Sequence, residues 1–261
     1  MLLSVDELPY GWDEYPFRVN LSCRSAIWSM FDRKQNEFWM IWTDIFPVCV
    51  FVFLFTMNVT SDPFMQRNAL LIGLYLAVIL SRICSGVYHV FNCVSLKVNR
   101  TLIKLDQIGI CCMAMGAPWF FVIVNQSHLG AYICILLSAF NCCLLMIVTD
   151  SPLLQPALCV LAVIGNYPLL QIALSPALAI DLRLMSLMAL NGFLLGYVFF
   201  YLGKFPECLL PMGNADGRFW HSHVLWHVVT FVSQLLCVLT TTSSGVAAVG
   251  QKHIIYSKTS V

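Results

Sequence analysis

The chain has 261 residues, of which 59% are hydrophobic and only 10% are charged, and its mean hydropathy is +0.81. A soluble domain carries about 25% charged residues, so this composition excludes an ordinary water-soluble protein and indicates a polytopic helical membrane protein. The net charge of +1 gives no reason to expect a nucleic-acid partner.

The apolar stretches predict a three-part organisation: an N-terminal cytoplasmic region at 1–38, a transmembrane domain at 39–242 and a polar C-terminal tail at 243–261. A spanning helix needs roughly 20 mostly apolar residues, and seven stretches of about this length follow one another. The predicted spans are 39–57, 68–91, 105–124, 129–149, 153–174, 182–203 and 219–242. The fold class is therefore all-α, a seven-helix transmembrane bundle.

The distribution of lysine and arginine predicts the orientation of this bundle. With a cytoplasmic N-terminus, nine of these residues fall in inner segments and four in outer segments. The positive-inside rule then favours a cytoplasmic N-terminus and an external C-terminus. We expect a multi-pass protein of the plasma membrane or of the Golgi and other endomembranes.

Several polar and ionisable side chains lie in or beside the predicted spans, where they are costly and usually mark a functional site. They close the second span, open the third and open the seventh, so span parity brings them to one membrane boundary. These residues are Ser85, His89, Asp106, His221, His223 and His227.

The histidines in this group have the spacing of metal ligands. His223 and His227 are four residues apart and share one helical face, as do Ser85 and His89. Three imidazoles from two helices suit Zn²⁺, which in catalytic sites takes three protein ligands and keeps one open position. We predict His89, His223 and His227 as the zinc ligands. His221 lies nearly opposite His223, so a loop or interfacial role is expected for it.

Asp106 and Ser85 are the predicted catalytic residues beside this metal. Asp106 could accept a hydrogen bond from a zinc-bound water or orient a ligand imidazole, and Ser85 could hold the same water. Such a site can hydrolyse an amide or ester, or can equally cross-link helices. The structural alternatives are helix-packing hydrogen bonds for the histidines, a salt bridge from Asp106 to Lys104 or Arg100, and a bond from Ser85 to its own helix backbone.

Several short motifs, in a fixed order, match a known family. They are NEFWMIWT at 36–43, SGVYH at 85–89, LDQIGI at 105–110, PE at 206–207 and SHVLWH at 222–227. With them the chain resembles the progestin and adipoQ receptor family, which includes the adiponectin receptors and the membrane progestin receptors. The resemblance extends over about residues 8–240.

The resemblance implies a seven-span bundle with a cytoplasmic N-terminus, zinc on His89, His223 and His227, and Ser85 and Asp106 around the metal-bound water. Members of the family are regarded as receptors or lipid regulators, some with ceramidase-like activity. Asp44 is a departure, because the family usually has histidine there.

Three functions follow as hypotheses. The first is a receptor-like protein of hormone or lipid signalling that carries an intramembrane zinc site. The second is a zinc-dependent, ceramidase-like lipid amide hydrolase, and the third is a non-catalytic membrane scaffold. The expected partners are a membrane lipid or sphingolipid, or a steroid or protein hormone, with no nucleic acid.

Overall fold

The computed structural model describes residues 20–33, 37–61, 69–125, 180–206 and 221–259, together with single positions between 136 and 174 and at 209. Every regular element in these residues is helical. They are α1 (Cys23–Ser29), α2 (Phe38–Ser61), α3 (Ala69–Phe91), α4 (Leu96–Asn125), α5 (Ile180–Gly196), a π-helix (Tyr197–Leu202) and α6 (Ser222–Thr259).

Four of the described helices are long and apolar enough to cross a membrane. Their apolar segments are Phe38–Ser61, Leu71–Phe91, Arg183–Leu202 and Ser222–Thr240. They match the first, second, sixth and seventh predicted spans, which confirms the all-helical membrane architecture.

The structure describes the third predicted span as part of a longer helix, and it describes only single positions of the fourth and fifth. The third, 105–124, lies within α4, which begins earlier than predicted, at Leu96. The fourth and fifth, 129–149 and 153–174, lie outside the described residues apart from single positions. The seven-span count and the orientation therefore stay predictions.

The apolar core joins α2, α3 and α6. α2 packs against α3 and α6, α3 packs along α4, and α5 packs against α6. The buried cluster at this junction consists of Phe51, Leu71, Leu74, Tyr75, Val78 and Val238. Its rings touch edge to face: Phe231 lies 5.7 Å from Phe51 between ring centroids. Such pairs favour one arrangement of the three helices over other apolar packings.

Aromatic packing also fixes the start of α6. Trp226 packs against two stacked tyrosines of the π-helix, with its ring centroid 6.0 Å from that of Tyr197 and 5.8 Å from that of Tyr201. Gly196 permits this close approach, because a Cβ there would lie 3.3 Å from the Trp226 ring. The first turns of α6, which carry two of the predicted metal ligands, are thereby held against α5.

A second glycine brings α4 close to α3. A Cβ on Gly109 would lie 3.0 Å from the carbonyl oxygen of Ser81 and 3.1 Å from the Cβ of Cys84. Few real Cβ atoms are that close to a backbone atom, so this crossing needs glycine. Gly109 is three residues after Asp106, on the same side of α4, and its contact with α3 therefore sets the depth of Asp106.

Replacing Gly109 by alanine should destabilise the bundle, and Gly86→Ala is the matched control. Both changes gain helix propensity, by about 1 kcal/mol. Only Gly109→Ala forces α3 and α4 apart, and overpacking of this kind costs about 1–3 kcal/mol. A Cβ on Gly86 would make an ordinary contact, 3.5 Å from the Cβ of Asp44. We expect a lower melting temperature for Gly109→Ala alone; equal melting of the two variants would contradict the close crossing.

Candidate metal centre

Three histidines converge where α3 ends and α6 begins. One potential ligand atom from each of His89, His223 and His227 lies within 4.8 Å of the other two. The ring centroids are 5.3 Å apart for His89 and His223, and 5.0 Å apart for the other two pairs. Around a tetrahedral ion these nitrogens would lie about 3.4 Å apart, so side-chain movements of at most about 1.4 Å would complete the site.

The four-residue spacing on α6 explains half of this geometry, because it stacks His223 over His227 on one face. His89 comes from the last turn of α3 and is fully buried. His227 is buried as well, and His223 is half-buried. The structure therefore brings together the three histidines that the sequence predicted, and this group can hold a metal ion.

Glu37 orients the imidazole of His89. Its Oε2 lies 2.8 Å from Nδ1 of His89, and its Oε1 accepts a hydrogen bond of 2.9 Å from the Asn92 amide. An ionised carboxylate only accepts, so Nδ1 carries the proton of this bond, and a metal would be bound through Nε2. Metal-binding histidines commonly donate their second ring nitrogen to a carboxylate in this way. Glu37 itself is almost completely buried.

Asp44 takes the corresponding place beside His227. Its Oδ1 lies 3.3 Å from Nδ1 of His227 and 3.1 Å from Nη1 of Arg82. The Arg82 contact is a hydrogen-bonded ion pair between two buried side chains, 1% and 5% exposed. The His227 contact has ion-pair distance without hydrogen-bond alignment.

Arg82 in turn connects α3 to α6. Its Nε donates to Oε1 of Gln234 at 2.7 Å, and its Nη2 donates to Oγ1 of Thr230 at 2.9 Å. Nη2 also reaches the backbone carbonyl of His227 at 3.4 Å. Arg82 thus holds both Asp44 and the backbone of His227, which ties one ligand histidine to α2 and α3.

A buried carboxylate oxygen beside the histidines supports the presence of a further polar group. Among the residues that the structure describes, Oδ2 of Asp44 has no hydrogen-bond partner, while Nδ1 of His227 faces Oδ1 of the same carboxylate at 3.3 Å without hydrogen-bond alignment. A buried polar atom without a partner costs about 1–3 kcal/mol, and native structures usually supply one. A metal ion with its bound water fits this environment, because three nitrogen donors leave one coordination position open.

Ser85 and Asp106 lie at the edge of this group. The Ser85 hydroxyl lies close enough to the Asp106 carboxylate to interact with it, and Asp106 interacts electrostatically with His89 and His227. Ser85 is one turn before His89 on α3, so its helix presents both side chains on the same face. The two predicted catalytic residues therefore meet each other beside the histidines.

His221 has a structural role that the sequence did not indicate. It precedes α6 and is 9% exposed. Its ring Nδ1 accepts a hydrogen bond of 3.3 Å from the backbone N–H of His223, and its carbonyl accepts one of 3.0 Å from Leu225. His221 thus caps the helix that carries the ligands, because the first N–H groups of a helix lack partners within it.

Sequence reasoning missed the roles of Glu37, Asp44 and Arg82. A usable signal was present, since Asp44 is the one charged residue of α2 and Arg82 the one Lys, Arg, Asp or Glu of α3. Opposite charges at similar depth in adjacent spans are expected to pair. Glu37 was visible only as part of a motif.

The fold and the site together define an integral membrane protein with a helical bundle around a buried histidine cluster. The sequence model of the haemolysin-III-related family matches residues 32–238. The chain belongs to this family, which is the progestin and adipoQ receptor family. The match does not distinguish adiponectin-receptor-like members from progestin-receptor-like ones.

Breaking the Asp44–Arg82 pair from one side should be more harmful than replacing both residues. Removing one partner of a buried ion pair costs about 3–5 kcal/mol, because the other charge is left uncompensated, whereas replacing both is often nearly neutral. We expect Arg82→Met and Asp44→Leu each to lower the melting temperature strongly, and the double variant Asp44→Leu/Arg82→Met to recover part of that loss. Purely additive effects in this double-mutant cycle would show that the two side chains do not interact.

Proposed function

We propose that this chain is a receptor-like membrane protein of hormone or lipid signalling whose helices are joined by a Zn²⁺ ion on His89, His223 and His227. The observation that carries the proposal is the convergence of three imidazole rings, two of which contact the buried carboxylates of Glu37 and Asp44. The proposed locations are the plasma membrane or the Golgi and other endomembranes.

The chemistry of the donor set favours zinc among biological metals. Imidazole nitrogen is a common zinc ligand, whereas Ca²⁺ and Mg²⁺ prefer oxygen donors. The Glu37–His89 contact supports the same choice, because outer carboxylates of this type orient imidazoles toward zinc. When bound, zinc would supply Lewis-acid activation of a water molecule or of a substrate carbonyl.

A receptor role is supported by the number of helices that meet at this site. α2 contributes Asp44, α3 contributes Arg82 and His89, and α6 contributes the remaining histidines. A ligand that shifts α6 relative to α3 would therefore change the histidine spacing and the ion pair together. Such a ligand would be a membrane lipid or sphingolipid, a steroid, or a protein hormone that acts through the loops.

A lipid amide hydrolase is the second candidate, and the Ser85–Asp106 contact favours it. Asp106 would accept a proton from the attacking water and return it to the leaving amine, as a general base and then a general acid. Ser85 would hold the Asp106 carboxylate in position by donating its hydroxyl hydrogen. The apolar helices would receive the acyl chain of a ceramide-like substrate.

The zinc proposal predicts about one zinc ion per purified chain, measured by inductively coupled plasma mass spectrometry. His223→Ala removes one of three ligands and should lower both zinc content and melting temperature. With free zinc about 100-fold above its Kd, losing the ion would cost about 2.7 kcal/mol of stability. His253→Ala, the same change in the predicted tail, should keep both values. Stoichiometric zinc with unchanged stability in His223→Ala would exclude His223 as a ligand.

Asp106→Asn separates the receptor from the hydrolase. Under the hydrolase hypothesis, wild-type protein in nanodiscs releases fatty acid from ceramide, and Asp106→Asn lowers this rate by about 10²-fold or more while zinc and melting are retained. Under the receptor hypothesis neither protein hydrolyses ceramide, and both show saturable labelling by a photoreactive steroid or ceramide. Asp181→Asn, an exposed carboxylate on α5, is the matched control. Ceramide turnover that survives Asp106→Asn would refute the catalytic assignment of Asp106.

A further inference from the structure

A groove of about 750 Å³ lies along the first half of α4, outside the histidine site. We call it the basic groove and define it by Lys97, Arg100, Lys104, Leu105 and Ile108. Lys97, Arg100, Lys104 and Ile108 follow one another at intervals of three, four and four residues, so they form a stripe on the helix, with Leu105 beside it. Leu96, Thr101 and Leu102 also line the groove among the cations, and its far end is lined by Leu105 and Ile108.

The charged end of the basic groove lies at the membrane boundary. α3 spans as far as Phe91, a short connection follows, and α4 begins at Leu96. Ser95 caps α4 by accepting a hydrogen bond of 3.2 Å from the backbone N–H of Val98. From there α4 rises about 1.5 Å per residue, so Ile108 lies roughly 16 Å deeper along the axis than Lys97.

The groove has the charge and polarity order of a phospholipid. Lys97 and Arg100 are exposed, Lys104 is half-buried, and no described residue that lines the groove is acidic. A phosphate would be bound by the cations, while an acyl chain would lie against Leu105 and Ile108. The positive-inside rule accounts for cations at this boundary, but not for the continuation of the same stripe as an apolar groove.

We propose that the basic groove binds an anionic glycerophospholipid, with its headgroup on Lys97, Arg100 and Lys104 and an acyl chain along Ile108. This proposal does not depend on zinc. Negatively charged lipids concentrate in the cytoplasmic leaflet, which is the side predicted for this end of α4, and each basic residue near such a surface contributes about fivefold to binding.

The test measures binding of fluorescent phosphatidylserine to the full chain in phosphatidylcholine nanodiscs, by energy transfer from the protein's tryptophans. The variant Lys97→Gln/Arg100→Gln/Lys104→Gln should still fold and should bind phosphatidylserine at least tenfold more weakly than wild type. The matched control, Arg24→Gln/Arg33→Gln/Lys204→Gln, removes the same charge elsewhere in the described residues and should bind like wild type. Equal weakening in both variants would show a diffuse charge effect and overturn the proposal.

A second arm tests the apolar end of the groove. Ile108→Ser should weaken phosphatidylserine binding severalfold, and soluble glycerophosphoserine should compete poorly with the lipid in wild-type protein. Competition by glycerophosphoserine or inorganic phosphate at the lipid's own affinity would identify a site for free anions and refute the lipid proposal. If the triple variant fails to fold, the single variant Arg100→Gln, with an expected loss of about fivefold, carries the same test.

Discussion

The buried ion pair between Asp44 and Arg82 is the constraint around which the described helices are arranged. Neither charge can lie at this depth alone, because an uncompensated charge in a membrane interior is strongly disfavoured. Their contact of 3.1 Å fixes the rotation of α2 against α3. The remaining donors of Arg82 then select α6 as the third partner, through Thr230 and Gln234. Leaving one partner of a buried pair uncompensated costs about 3–5 kcal/mol, so helix registers that separate Asp44 from Arg82 are disfavoured.

This constraint passes directly to the histidines. Asp44 contacts His227 as well as Arg82. The rotation of α2 that forms the ion pair therefore also fixes the position of the His227 imidazole. Glu37, just before α2, orients the imidazole of His89 by accepting a hydrogen bond from its Nδ1. The second carboxylate oxygen of Glu37 accepts a hydrogen bond from the Asn92 amide. The start of α2 therefore supplies carboxylates to both α3 and α6, although it contributes no histidine itself. Metal affinity in such a site depends on these outer contacts as well as on the ligands.

The histidine cluster could be predicted because two simple patterns indicate it. His223 and His227 are four residues apart on one helix, and the number of spans between them and His89 returns the chain to the same membrane boundary. The pairing of Asp44 with Arg82 was missed although each is the single such charge of its span; the contacts of Arg82 with Thr230 and Gln234 could not be predicted, because charge positions do not give the rotation of each helix. The start of α4 was also missed, because hydropathy indicates which residues lie in the lipid and does not indicate where the helix itself begins. Ser95 caps that helix well before its apolar part. Similarly, the backbone of α6 continues to Thr259, past the apolar segment that ends at Thr240.

One face of α4 carries the basic groove at the membrane boundary, and the opposite face carries Asp106 beside the histidine site. Residues two apart on a helix point about 200° from each other, so Asp106 lies opposite Lys104 and Ile108. Gly109 holds the Asp106 side against α3, where the crossing is too tight for a side chain. The helix therefore cannot rotate freely to satisfy one face without disturbing the other. A lipid bound in the basic groove, as proposed above, would therefore act on the same segment that positions Asp106 beside Ser85.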